Sequence, residues 1–116
     1  LDTSFAGGLG YVSSSGTESG TPSQVLLDAN GDIIVLGKHD NGSDDDAIIW
    51  KYTSTGQPDS TFASGNAYTK FNNISGGSGS SDEFLGGAIS SEGALFSTGK
   101  SFAGGTDDDM ILIKLE

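Results

Sequence analysis

Asp28-Ala29-Asn30-Gly31-Asp32-Ile33-Ile34-Val35-Leu36-Gly37-Lys38, followed by Asp44-Asp45-Asp46-Ala47-Ile48-Ile49-Trp50-Lys51-Tyr52, decides the fold because the pattern occurs twice. Gly93-Ala94-Leu95-Phe96-Ser97-Thr98-Gly99-Lys100 repeats its first part, and Asp107-Asp108-Asp109-Met110-Ile111-Leu112-Ile113-Lys114-Leu115 its second. Each copy reads as strands. Short β-branched runs are bounded by Gly, Asn and Asp, and no segment shows helical periodicity with caps. Gln24–Asp28 and Ile33–Gly37 form a predicted hairpin across Asn30-Gly31, read as a two-residue type I′ turn with positive φ at Gly31 and, by the repeat, at Gly93. Ala47–Tyr52 is a third strand and Ala67–Phe71 a fourth. Phe84–Ile89, Leu95–Thr98 and Met110–Leu115 are their counterparts in the second copy.

Further echoes extend the repeat. Leu1-Asp2-Thr3-Ser4-Phe5-Ala6 matches Pro58-Asp59-Ser60-Thr61-Phe62-Ala63, and Tyr11 matches Tyr68. The offsets are 57, 62 and 63 residues, so the second copy carries a short insertion, placed in Ser75–Ser81. This divides the chain into units 1–57 and 58–116. Tyr11–Ser13 becomes another copy of the fourth strand. Ile33-Ile34-Val35-Leu36 is apolar on consecutive residues, so its strand needs cover on both faces. Small four-stranded sheets covered on both sides are the blades of a β-propeller. The expected fold is therefore all-β, with two four-stranded antiparallel blades. The N-terminal strand completes the last blade in another copy or in a larger ring.

The 116 residues suffice for one domain at most. A hydrophobic share of 34% with 19 glycines means that the core must come from short dense strands. The net charge of −11, with five basic residues, argues against nucleic acid and anionic membrane surfaces, both of which need clustered Lys and Arg. No cysteine is present, so there is neither a disulfide framework nor a thiolate metal site. No apolar run approaches a membrane span. The composition and the start at Leu1 read as a piece of something longer, of the secreted bacterial surface kind.

Leu1-Asp2-x-Ser4-Phe5, then Asp28-x-Asn30-Gly31-x-Ile33-x-Val35-x-Gly37, Asp46-x-x-x-x-Lys51-Tyr52 and Gly56-x-x-Asp59-x-x-Phe62 together resemble the delta-sixty repeat, a bacterial β-propeller repeat. The resemblance spans nearly the whole chain as two units, with Lys51 and Lys114 where the family usually has Arg. It implies a propeller in secreted or cell-surface proteins and no defined catalytic site.

The acidic triplets are the first candidate site. Asp44, Asp46, Asp107 and Asp109 are the carboxylates that would hold Ca²⁺, a cation that takes oxygen ligands. Neither triplet follows an EF-hand pattern, and one Asp per triplet capping its loop accounts for the residues more simply, so no metal or other cofactor is expected. Lys51 and Lys114, inside apolar strands, reach a nearby aspartate or snorkel to the edge. His39 reads as a loop residue and Trp50 as core. No nucleophile motif is present, so no enzyme is expected. Asn41-Gly42-Ser43 and Asn73-Ile74-Ser75 match the glycosylation sequon. The expected function is a non-catalytic structural or interaction module of a larger secreted or surface protein. Its partners would be adjacent repeats or other copies of itself. The alternatives are a self-assembling subunit that closes a ring or fibre, and a glycan- or Ca²⁺-binding lectin-like propeller.

Overall fold

A computed structural model describes residues 1–14, 19–77, 79–102 and 107–116. It is all-β, with two antiparallel sheets. The first holds β1 (Thr21–Leu27), β2 (Ile33–Asp40), β3 (Asp45–Tyr52) and β4 (Tyr68–Phe71), in that spatial order. The second holds β5 (Ser81–Ile89), β6 (Leu95–Phe102) and β7 (Asp109–Leu115), also in order. The only helical pieces among the described residues are single turns at Ala6–Gly8 and Phe62–Gly65.

The sheets stack face to face. Alternate residues of β2 and β3 (Ile34, Leu36, Ala47 and Ile49) point towards the second sheet, where Phe84, Leu95 and Ile111 meet them. This is the core, and β-branched residues suit it because they fill a pleated, half-buried surface. Phe71 packs its edge on Phe84, with ring centroids 5.5 Å apart at 74°. The opposite face of the first sheet carries Ile48 and Trp50, both buried. The N-terminal segment lies along that face beside Trp50: Val12 and Ser14 share grooves with Trp50 and Tyr52. The segment is anchored by Ala6 N–H donating to the Thr55 carbonyl at 2.8 Å. Phe5 also packs against Gly56, where a β-carbon would strike its ring.

Both sheets open with a β-bulge at the same place. The register of β1 on β2 shifts between Pro22 and Gln24, and that of β5 on β6 between Phe84 and Gly86, which leaves Ser23 and Leu85 as the extra residues. A bulge tolerates a residue without an N–H, which is why Pro22 fits inside a strand. It also presses the bulged strand onto its neighbour. Gly37 and Gly99 stand opposite, and a β-carbon on either would collide with the carbonyl oxygen of Thr21 or Glu83. The Ser23 hydroxyl donates to the Phe84 carbonyl at 2.7 Å, so the first bulge also ties the sheets together.

Two expectations need correction. The β1–β2 connection is a three-residue loop, not a two-residue type I′ turn. Leu27 pairs with Ile33, Asp28 N–H donates to Asp32 O, Gly31 N–H donates to Asp28 O, and Asn30 does not have positive φ. This is a type I turn closed by a left-handed glycine. The Asp28 carboxylate selects it by accepting the N–H groups of Asn30 and Asp32 at 2.8 and 3.0 Å. The β5–β6 loop repeats the pattern at Ser90–Ala94. Gly31 and Gly93 do have positive φ, at 80° and 89°. Gly31→Val is expected to lower stability by about 1–2 kcal/mol, because a β-branched residue is strained in that region; a urea melt checks it, and an unchanged midpoint contradicts the loop geometry. Second, His39 lies in β2 rather than in a loop and is buried, with its ring Nδ1 at hydrogen-bond distance from Ser19 O. Tyr11–Ser13, expected to pair with another copy or a further repeat, is laddered to no strand among the described residues.

Candidate functional site

The charged groups are tied to one another by position. Lys51 projects from β3 among three carboxylates: Asp59 at 3.2 Å, Asp28 at 3.4 Å and Asp32 at 3.5 Å. Burial works against its charge, but the hydrogen bonds to Asp59 and Asp28 outweigh this and raise its pKa above 10.5. Asp59 is held below 3.8, first by the hydroxyl and N–H of Thr61, then by Lys51. Burial pushes Asp28 up, yet the N–H groups of Asn30 and Asp32, together with Lys51, bring it below 3.8. The cluster therefore pins two loops, the β1–β2 connection through Asp28 and Asp32 and the segment after β3 through Asp59, to the end of the first sheet. Lys114, at the matching place in β7, has Glu116 at 2.8 Å instead, and its side chain is half exposed.

In each acidic triplet the middle residue is the one that pairs with a lysine. Lys38 bonds Asp45 at 2.7 Å, and Lys100 bonds Asp108 at 3.1 Å. Glu83 lies within 4 Å of both lysines. These contacts raise both lysine pKa values, with the Asp45 and Asp108 bonds the largest causes. Asp44 and Asp46 are bridged by the Asn41 side-chain amide, at 2.5 and 2.8 Å. Asp107 and Asp109 are exposed. Among the described residues no group of three or more His, Cys, Asp or Glu is placed to share a metal ion. One carboxylate escaped notice in the sequence. Asp82 is fully buried at the start of β5, with neither oxygen hydrogen-bonded among the described residues. It sits in a Ser- and Asp-rich run with no pattern to mark it.

The larger features are two apolar faces. On the first sheet, the face away from the core carries Val25 and Leu27, which are exposed, and a groove of about 350 Å³ lined by Phe5, Val12, Ile33, Val35, Trp50 and Tyr52. On the second sheet, the outward face carries Phe96, Met110 and Leu112, of which Met110 is 74% and Leu112 66% exposed. That sheet also ends at β7, which has a paired strand on one side only among the described residues. Contiguous apolar surface beside an open strand edge marks an interaction surface.

The loops that lead into these faces share one conformation. Asp2 Oδ1 accepts the Ser4 N–H and hydroxyl at 2.8 and 2.7 Å, and Asp59 Oδ1 accepts those of Thr61 at 2.8 and 2.6 Å. Ala6 and Ala63 then both take positive φ, at 53° and 48°. The echo between Leu1–Ala6 and Pro58–Ala63 is thus an echo of geometry as well as of letters. No protein-family model, no curated protein and no solved structure matches the chain.

Proposed function

We propose that this chain is a non-catalytic structural module, two blades of a β-propeller that belong to a larger secreted or cell-surface assembly. The observation that carries the reading is the stacking itself. Two sheets with bulges at the same place and glycines at the same place pack face to face, while the outward face on each side of the stack stays apolar. The apolar groove at Phe5, Val35 and Trp50 lies on a sheet face that a further sheet would cover. The resemblance to the delta-sixty repeat supports the same architecture and implies the secreted setting.

The test is a series of tandem fusions of one to four copies. A ring takes about four to eight blades, so the melting temperature is expected to jump at the copy number that closes it, two to four, and the small-angle scattering envelope to become a disc. A melting temperature and radius that grow smoothly with copy number, as in an open rod, overturn the reading.

A further inference from the structure

We propose that the outward face of the second sheet docks on the free face of the first sheet of a second copy of this chain, whose N-terminal segment supplies the missing fourth strand beside β7. The inference rests on the blade reading above and specifies it residue by residue.

The contact inside the chain serves as the template. Under the offsets of 62 for β2 and 63 for β3, Ile34, Ala47 and Ile49 correspond to Phe96, Met110 and Leu112. The first three form the core, and Ala47 and Ile49 are 0% exposed; the second three are the outward face. The reverse holds on the other side. Leu95 and Ser97, buried between the sheets, correspond to Ile33 and Val35 on the free face. Each free face thus has the positions of a face that is already covered within the chain. Repeating the contact once more continues an existing interface with the same partners.

The edge agrees with the faces. β4 pairs with β3 through Trp50↔Tyr68, Ile49↔Thr69 and Ala47↔Phe71. Shifted by the offsets of 63 and 57, these pairs become Ile113 with Tyr11, Leu112 with Val12 and Met110 with Ser14. Residues 11–14 already lie on the first sheet's free face, beside Trp50 and Tyr52, where the outer strand of a docked sheet would run.

The charges agree as well. Lys51 bonds Asp59 at 3.2 Å. Lys114 corresponds to Lys51, and Asp2 corresponds to Asp59 with the same Ser/Thr cap. Docking brings Lys114 of one copy to Asp2 of the next. The contact is head to tail, so successive copies extend the stack or close it into a ring.

The chain has no cysteine, which makes cross-linking a clean probe. Leu36 touches the β-carbon position of Gly87, and these correspond to Thr98 and Val25. Thr98→Cys and Val25→Cys variants, mixed under mild oxidation, are expected to give a disulfide-linked heterodimer; Thr98→Cys mixed with Ser91→Cys is not. Leu112→Asp in the Thr98→Cys copy should cut the yield about tenfold or more. Leu112 is exposed, so its melt as a free chain should be unchanged. As a second measurement, sedimentation of the cysteine-free chain should show association that Lys114→Asp weakens and Asp2→Lys in the other copy restores. Cross-linking no greater than the Ser91→Cys control, or an unmodified chain that stays monomeric at every concentration, overturns the proposal. Tandem fusions that close while free copies do not cross-link remove this inference alone; failure of both removes the blade reading too.

Discussion

Ile49→Ala is expected to lower stability by about 2–4 kcal/mol, while Leu112→Ala, at the matching position of the other sheet, changes it by about 0.5 kcal/mol or less. Ile49 is 0% exposed between the sheets, and its removal strips methyl groups from a contact shared with Phe84 and Ile111. Leu112 is 66% exposed and loses little that is not already in water. The effect is large against the roughly 5–15 kcal/mol typical of a whole domain. Urea melts at low protein concentration read both variants on the free chain. Equal losses at the two positions would mean that the sheets are not stacked as described.

Lys51→Met is expected to cost about 2 kcal/mol at neutral pH, because it leaves three carboxylates facing one another without their cation. Lys114→Met, with one exposed partner, should cost nothing measurable. The pH dependence follows from the directions of the shifts. Asp28 and Asp59 have folded pKa values below 3.8, so their contribution is fully present above 3.8 and lost as pH falls through the folded values. Lys51 has its folded pKa above 10.5, so its contribution is present below 10.5 and lost as pH rises through the folded value. The wild type should therefore hold a stability plateau between these limits, and Lys51→Met should lower that plateau and move acid unfolding to higher pH. Fluorescence of Trp50 during acid and base titration checks both; superimposable curves would contradict the cluster.

Much of the strand plan was legible because strand-forming runs are self-announcing. Ile33–Leu36 and Ala47–Trp50 can satisfy their apolar side chains only in a covered sheet, and Met110–Ile113 marks its strand by the same run of apolar residues. The bulges were not legible. Ser23 and Leu85 occupy the same extra position but share no chemistry, and Gly37 and Gly99 marked it only through a neighbour's backbone. The turn at Asn30-Gly31 was misread because the dipeptide fits a two-residue turn, whereas Asp28, two residues upstream, decides the loop by capping two N–H groups. Tyr11–Ser13 echoes Tyr68 correctly in letters, but a strand exists only where a partner offers hydrogen bonds. Of the candidate sites, Lys51 was expected to reach an aspartate. That it gathers Asp28 and Asp32 from one loop and Asp59 from another is a fact of tertiary structure that no local spacing carries. Asp44 finds Asn41 in its own turn, a short-range pairing that the Asn-Gly-Ser-Asp run does contain.

The place of β3 has a consequence for how the chain opens in time. It is laddered on both sides, to β2 and to β4, and carries five consecutive buried residues, Asp46–Trp50, whereas β7 is laddered on one side and mostly exposed. Amide protons of Ile48 and Ile49 should then exchange with deuterium only on global unfolding, and those of β7 through local fraying. A protease would meet the carboxyl-terminal strand as an intermittently detached ribbon long before it met the first sheet. The same fraying is what a newly arriving strand would have to arrest.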